Sequence, residues 1–201
     1  MSRIAPVPAD SSQIQGLAPL AARGANGSRA LGTVLRNQPL YAAWRPFARY
    51  LNSSTCVSRR DRELLILRTA WLMNSDYEWG NHVLAAKDAG IADQEIDAIR
   101  EGSQSPVWSP QEATLLRMAE ELVGQAWLPD EVFGQLSSFY SEEQIIESVM
   151  LVGHYVMMAY LFNSVGIERE DGVPGFEYPT AAGSSYSGSS HSGSDLVLSA
   201  P

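Results

Sequence analysis

Hydrophobic positions spaced three and four residues apart fill the middle of the chain, and serine, aspartate, proline and glycine separate the groups they form. Such spacing is typical of amphipathic α-helices. No alternating run bounded by hairpin turns competes with this interpretation. The pattern therefore predicts an all-α fold.

Capping residues locate the predicted helices more closely. Ser58 followed by Asp61 resembles a capping box, and Ser109 is followed by proline at the first helical position and glutamate at the third. Glycine after an apolar segment marks a helix end. The predicted helices begin at Ser58, near Asn74 or Ser75, at Asp93, at Ser109, at Asp130 and at Ser141. The second ends at Gly90, the third at Gly102, the fifth near Tyr140 and the last at Val165 before Gly166.

The two ends of the chain differ in composition from the middle. Residues 1–26 are rich in alanine, proline and serine and predict at most one weak helix. The Gly/Ser-rich segment from Tyr178 onward cannot offset its ordering entropy by burial, so we do not expect His191 to join a site. We predict an N-terminal extension over 1–28, a helical domain over 29–177 and a flexible tail over 178–201.

Composition excludes several classes of function. The chain has 201 residues with 45% hydrophobic content, enough for one domain with a substantial core. A net charge of −9 argues against nucleic acid or an anionic membrane as partner. No run approaches the roughly 18 uninterrupted apolar residues that span a bilayer, and no secretory signal is evident.

The single cysteine, Cys56, narrows the chemistry further. One thiol cannot form an intramolecular disulfide, a cysteine-rich zinc site or a two-thiol redox centre. We therefore expect a cytoplasmic protein.

Ser75, Glu78 and His82 carry the first candidate chemistry. Their i, i+3, i+7 spacing places them within roughly 60° of one another on one helix face. A carboxylate and an imidazole one turn apart can share a proton, which is the minimum for general acid–base catalysis. Ser75 and Glu78 also match a capping box, and a lone helical histidine is more often structural. Both interpretations stay open from spacing alone.

Glu63 is a second candidate carboxylate. It lies among Arg59, Arg60 and Arg62 near a helix start. The alternative is a surface ion pair, which contributes little to stability. Those arginines could hold a substrate carboxylate, although we expect them to face solvent.

Other residues are candidates for substrate binding. Aromatic side chains at helical spacing are more often core, a buried histidine needs a partner, and Arg45 is a less crowded arginine. Glu78 and His82 supply only two metal ligands, so we predict no metal site. The candidates, besides Ser75, are Trp71, Tyr77, Trp79, Arg45, His154 and Tyr155.

The segment RDRELLILRTAWLMNSDYEWGNH resembles the carboxymuconolactone decarboxylase family, which includes the alkylhydroperoxidase D-like proteins. The resemblance extends from about Arg29 to Glu170. It implies an all-α helical bundle that assembles into homo-oligomers, commonly trimers or hexamers, with sites near subunit contacts.

The resemblance also implies a branch of the family. The peroxidase branch uses Glu followed by Cys-x-x-Cys-x-x-x-His, and the two cysteine positions fall on Ser75 and Glu78. Neither side chain can form a thiolate, so thiol peroxidase activity is disfavoured. The decarboxylase-like branch implies cofactor-free proton transfer on a small organic acid or related ring compound. His82 would donate the proton, Glu78 would set its pKa and orientation, Glu63 would complete the relay and Ser75 would bind substrate.

Two alternatives remain beside this one. The first is residual antioxidant activity that depends on Cys56. The second is a non-catalytic oligomeric binding protein in which Glu63 and Glu78 serve as caps and ion pairs.

Overall fold

A computed structural model describes residues 2–8, 11, 28–53 and 56–178. This part of the chain folds into eight α-helices and contains no strand, which confirms the all-α prediction. The helices are α1 (Ser28–Val34), α2 (Gln38–Ser53), α3 (Arg59–Leu72), α4 (Asp76–Asp88), α5 (Asp93–Glu101), α6 (Pro110–Gln125), α7 (Asp130–Phe139) and α8 (Glu142–Val165). The predicted weak helix within 1–26 and the tail with His191 lie outside the described residues. The three predicted parts stay a prediction.

Three of the predicted helix starts are confirmed by side-chain caps. The Ser58 hydroxyl accepts a hydrogen bond from the Asp61 backbone N–H at 3.0 Å. Ser109 and Ser141 form complete capping boxes with the residues three positions later. Each cap satisfies backbone donors that the first helical turn leaves unpaired.

Helix α3 is the central helix of the bundle. It packs against α4, α6 and α8, and residues 61–70 are buried. The apolar side chains among them, such as Leu64 and Leu67, form the main core. Polar side chains on this helix are buried as well, so they must find partners inside the protein.

The turn between α3 and α4 brings the two halves of the candidate motif together. Asn74 adopts a left-handed conformation with φ of 51°, which asparagine tolerates better than most residues. The Ser75 backbone N–H then donates to the Ala70 carbonyl at 2.8 Å. The chain reverses sharply here, and α4 packs back along α3.

Helix α8 is long and apolar enough to cross a membrane by length and composition alone. The sequence analysis identified no such segment because it required an uninterrupted apolar run. In the structure α8 packs against α3, α6 and α7, and 56% of its most apolar 18-residue window is buried. Packing against these three helices accounts for much of its apolar surface.

Residues 167–178, which we call the C-terminal strap, cross the outside of α4. Arg169 pairs with Asp76 at 2.7 Å, and the Phe176 backbone N–H donates to the Asp76 carboxylate at 2.8 Å. A Cβ at Gly80 would overlap the Pro174 carbonyl oxygen, so only glycine allows the strap to lie this close. The strap is thus held against α4, the helix that carries Glu78 and His82.

Candidate active site

The Glu63–His82 pair is the best-defined polar contact of the site. His82 Nδ1 lies 2.7 Å from Glu63 Oε2, and their side chains are 15% and 3% exposed. The sequence analysis assigned orientation of the imidazole to Glu78, and this was wrong, because Glu63 on α3 is the carboxylate that contacts it. It also considered Glu63 as a surface ion pair, whereas the side chain is buried.

Arg62 is the second partner of Glu63. Its Nε and Nη2 atoms both lie 3.3 Å from Glu63 Oε1. Burial alone would raise the pKa of Glu63, but the charges and hydrogen bonds of His82 and Arg62 outweigh burial and lower it. Glu63 is therefore ionised at neutral pH. The expectation that Arg62 faces solvent was wrong, because its side chain is only 11% exposed.

Glu78 has the opposite environment. It is 3% exposed, and neither carboxylate oxygen has a hydrogen-bond partner among the described residues. Burial raises the pKa of Glu78 to about 8, and the nearby Ser75 hydroxyl offsets part of this rise. The Glu78 carboxyl is therefore mostly protonated at neutral pH.

The capping interpretation of Ser75 and Glu78 fails in the structure. Ser75 is the N-cap residue of α4, but its side chain makes no capping hydrogen bond. The Ser75 oxygen is fully buried and has no partner within the described part of the chain. Two adjacent polar side chains are thus buried without the local bonds that would explain them, which is unusual outside functional sites.

Tyr155 lies beside His82. Its ring lies edge-on to His82, with ring centroids 4.9 Å apart, and its hydroxyl donates to the Asn52 side-chain carbonyl at 3.2 Å. Burial first, and then the negative charges of Glu63 and Glu78, raise the pKa of Tyr155. Both carboxyl groups therefore lie near this one phenol.

His154 continues the aromatic wall. Its ring stacks on Trp44 at 5.9 Å and meets Phe47 and Tyr155 edge-on at 5.5 and 5.3 Å. Burial and the charge of His82 lower the pKa of His154 to about 4, so its imidazole is neutral at pH 7. Its Nδ1 atom has no hydrogen-bond partner among the described residues.

Three other candidates have structural partners elsewhere. Trp71 and Trp79 pack against Phe176 of the strap, and the Arg100 guanidinium lies over both indole rings. The Tyr77 hydroxyl donates to Glu170 at 2.9 Å and accepts from the Ala30 backbone N–H at 3.0 Å. The core interpretation suits these three residues, so their proposed contact with substrate has no support in the structure.

Arg45 is the remaining candidate for substrate binding. Its guanidinium lies 6.0 Å from the centre of the Tyr41 ring, and its buried Nε has no partner within the described residues. It stays a candidate for holding a substrate carboxylate.

Sequence reasoning missed three residues around the site. Arg62 fixes Glu63, Asn52 holds the Tyr155 hydroxyl, and Phe47 packs on His154. The adjacency of Arg62 and Glu63 in the sequence was a usable signal. Asn52 and Phe47 come from α2, and no local pattern connects α2 to α8.

In the part of the chain that the structure describes, no three histidine, cysteine, aspartate or glutamate side chains come close enough together to hold a metal ion. The site is built from one carboxylate–imidazole pair, one neutral carboxyl group and an aromatic wall.

A sequence model of a known protein family matches the part of the chain that contains the candidate site. The sequence model of the carboxymuconolactone decarboxylase family matches residues 38–121, from the start of α2 through most of α6. This region contains Glu63, Ser75, Glu78 and His82. In this region the chain is similar to the carboxymuconolactone decarboxylase family.

Individual proteins are also similar to this chain. An uncharacterised protein, YdfG, from Bacillus subtilis is 24% identical over 98 residues, which cover 48% of this chain and 67% of that protein. A protein of unknown function from Agrobacterium tumefaciens, named after the antioxidant defence protein AhpD, matches with a TM-score of 0.64 at 20% identity. That match covers 68% of this chain and 94% of the Agrobacterium protein.

Two further solved structures share the fold. A peroxidase-related protein from Silicibacter matches with a TM-score of 0.72 at 12% identity, over 83% of this chain and 91% of its own. The debrominase Bmp8, in a cysteine-to-alanine variant bound to 2,3,4-tribromopyrrole, matches with a TM-score of 0.67 at 16% identity, over 84% and 91%. These likenesses establish the alkylhydroperoxidase D-like fold.

The chain lacks a redox cysteine pair, which fits a branch of this family without one. Its one cysteine, Cys56, is exposed in the segment before α3. The Cys56 thiol lies 3.5 Å from a Glu147 carboxylate oxygen. Desolvation and this hydrogen bond raise the pKa of Cys56, which disfavours the nucleophilic thiolate.

Proposed function

We propose that the chain is an acid–base enzyme that needs no cofactor and resembles carboxymuconolactone decarboxylase in its reaction. Its substrate would be a small carboxylated lactone or a related unsaturated ring compound. One observation carries the proposal: Glu63 is buried against His82 and Arg62, which lower its pKa, whereas Glu78 is buried without a hydrogen-bond partner among the described residues, which raises its pKa. Environments that separate two pKa values in this way assign one group to each half of acid–base catalysis.

Decarboxylation illustrates how the residues would act. The bond between the ring carbon and the carboxylate breaks, CO₂ leaves, and the electron pair moves into the conjugated carbonyl of the substrate. The product is an enolate that must be stabilised and then protonated on carbon. No cofactor is required, because the substrate itself accepts the electrons.

Glu78 is suited to the first task. A neutral carboxyl group can donate a hydrogen bond to the developing enolate oxygen, which an ionised one cannot. Ser75 lies three residues before Glu78, and its hydroxyl has no hydrogen-bond partner among the described residues. The lack of other partners leaves both groups available to a ligand.

His82 is suited to the second task. With Nδ1 on Glu63, its other ring nitrogen would deliver the proton to carbon and recover one from water. Glu63 fixes the orientation of the ring through the contact at Nδ1. The same groups would also support isomerisation, dehydration or ring closure, since each passes through a similar enolate.

The aromatic wall supports a planar substrate. His154 is neutral and, with Trp44, Phe47 and Tyr155, offers ring faces and edges to a flat molecule. Arg45 would hold the carboxylate if it reaches the ligand. We expect this activity in the cytoplasm.

Turnover and proton exchange test the proposal. Carboxylated unsaturated lactones would be incubated in deuterated buffer, with CO₂ release and deuterium at the product carbon as readouts. His82→Ala and Glu78→Gln are each expected to lower turnover at least 100-fold while remaining folded. Cys56→Ser is the matched control and should keep full activity. Wild-type turnover that survives both substitutions would contradict the proposal.

A further inference from the structure

Arg62, Glu63 and His82 form a chain of contacts in which one carboxylate lies between two nitrogen groups. Arg62 Nε and Nη2 both lie 3.3 Å from Glu63 Oε1, and His82 Nδ1 lies 2.7 Å from Glu63 Oε2. The three side chains are 11%, 3% and 15% exposed. Each carboxylate oxygen thus has a different partner, and solvent has little access to replace either one.

The contact between Arg62 and Glu63 is unusual for adjacent residues of a helix. Successive side chains on an α-helix point about 100° apart and do not normally face each other. Arg62 must therefore fold back along the helix to reach its neighbour. The two arginines before it make different contacts: Arg59 pairs with Asp88 at 3.8 Å, and Arg60 pairs with acidic residues of α5 and α6. Of these three arginines, Arg62 is the one that turns into the site.

The donor and acceptor roles in this chain are fixed from the Arg62 end. A guanidinium has five N–H donors and no acceptor, and an ionised carboxylate can only accept. Burial acts to raise the pKa of Glu63, but the charges and hydrogen bonds of His82 and Arg62 lower it, so Glu63 is ionised at neutral pH. The Nδ1 atom of His82 must then carry a hydrogen. The neutral ring is therefore the Nδ1–H tautomer.

The tautomer decides which ring atom of His82 is free for chemistry. With the hydrogen on Nδ1, the Nε2 atom of the neutral ring has an open lone pair and can accept a proton. In the opposite tautomer Nε2 already carries a hydrogen and cannot accept one. A group that fixes the hydrogen-bond direction at Nδ1 therefore determines what Nε2 can do.

We propose that Arg62 is a positioning residue that sets the direction of this hydrogen-bond chain. It occupies one oxygen of the side chain at position 63 and so keeps the other oxygen for the Nδ1–H group of His82. Arg62 acts through Glu63 and does not need to contact the substrate. The benefit for catalysis rests on the proposed function, in which Nε2 recovers a proton from water and delivers it to carbon. The hydrogen-bond direction itself can be measured without substrate.

Nuclear magnetic resonance of the full chain reports the tautomer of His82. The nitrogen and carbon chemical shifts of a neutral imidazole differ between the two tautomers, and the His82 signals are assigned by their loss in His82→Asn. On the alkaline side of the His82 titration, we expect the wild type to be the Nδ1–H tautomer.

Glu63→Gln separates the role of Arg62 from that of Glu63 alone. An amide has a carbonyl that accepts and an NH₂ group that donates. Because Arg62 can only donate, it should take the carbonyl of the glutamine and turn the NH₂ group toward His82 Nδ1. The ring should then switch to the Nε2–H tautomer. Without this effect of Arg62, the carbonyl would be free to stay on His82 and the tautomer would not change.

Adding Arg62→Gln to Glu63→Gln should remove the switch. Two amides can pair in either direction, so we expect this double variant to show both tautomers. It leaves no unpaired buried charge, so it should fold even if Arg62→Gln alone does not. Adding Arg59→Gln to Glu63→Gln is the matched control. The Arg59 side chain is 51% exposed and pairs with Asp88, so His82 should stay fully switched in that protein.

Three results would each overturn the proposal. The first is a wild type in the Nε2–H tautomer, and the second is a Glu63→Gln protein that keeps the wild-type tautomer. The third is a double variant with Arg62→Gln whose His82 is as fully switched as in Glu63→Gln alone.

Turnover is a separate readout that tests the proposed function. The switched Glu63→Gln protein should lose at least about 100-fold in kcat with little change in KM, because its Nε2 atom cannot accept a proton. A wild type without turnover would contradict the proposed function, and the measured tautomers would still decide the role of Arg62.

Discussion

Glu63 and Glu78 are almost fully buried on adjacent helices, yet their surroundings act on them in opposite directions. Glu63 has a cationic neighbour on one side and an imidazole on the other. Glu78 has no hydrogen-bond partner among the described residues. The same residue type thus becomes a fixed anion in one place and a neutral acid in the other.

Stability should depend on pH through Glu78. Its pKa of about 8 in the folded protein exceeds the unfolded value of about 4.3, so between these values the folded state binds the extra proton. Each pH unit in this window therefore lowers folding stability by up to about 1.4 kcal/mol. Glu78→Gln removes this penalty, so the variant should gain stability over wild type as pH rises from 5 toward 8, measured by urea unfolding.

Glu63→Gln should change stability with the opposite pH dependence. The pKa of Glu63 is lowered in the folded state, so its stabilising contribution is present above the unfolded pKa and is lost as pH falls through the folded value. Removing the charge leaves Arg62 buried without its anion and should cost about 3 kcal/mol at pH 7. The cost should shrink in acid. Parallel pH profiles for the two variants would contradict the assignment.

At the scale of helices and segments, the contact between α4 and the C-terminal strap limits what Gly80 can become. Alanine normally favours a helix over glycine by about 1 kcal/mol. At Gly80 the added Cβ would overlap the Pro174 carbonyl oxygen, and backbone cannot move aside cheaply. We expect the cost of this overlap to exceed the gain in helix propensity.

We expect Gly80→Ala to destabilise the protein by about 2 kcal/mol or more, measured by thermal or urea unfolding. Gly124→Ala on α6 is the control, because a Cβ there meets no described atom within 4 Å. That variant should be as stable as wild type or slightly more stable. Equal stability of the two variants would show that the strap does not press on α4.

The sequence predicted α3 to α8 because their signals are local, but it predicted neither α1 nor α2. Serine caps and terminal glycines located the starts of α3, α6 and α8 and the end of α8 at Gly166. The pairing of His82 with Glu63 was not predictable from spacing. Glu78 lies one turn from His82 on the same helix, but the turn at Asn74 folds α3 against α4 and presents a closer carboxylate.

The remaining errors also come from long-range packing. Arg62 looked like a solvent-facing residue because it lies in a cluster of arginines, whereas α3 is buried at the centre of the bundle. Trp71 and Trp79 looked like wall residues because nothing in the sequence places Phe176 beside them. The strap that brings Phe176 there is irregular in structure and has no periodic signal.

At the scale of the whole molecule, a shared fold with peroxidase-related proteins raises the question of redox activity. The chain carries one thiol, outside the motif, with a raised pKa. We expect the wild type and Cys56→Ser to consume hydrogen peroxide no faster than buffer in a coupled assay with a dithiol reductant. Peroxide consumption that Cys56→Ser abolishes would restore the antioxidant interpretation.

The central claim is that Glu78 is a neutral acid in the same site as an ionised Glu63, which contacts His82. Difference infrared spectroscopy tests this directly through the carbonyl stretching band of a protonated carboxyl group, and it needs no substrate. We predict that wild type shows this band at pH 7 and loses it with a midpoint near pH 8. The band should be absent in Glu78→Gln and retained in Glu63→Gln. A wild type without the band at pH 7, or a Glu78→Gln variant that keeps it, would contradict the account.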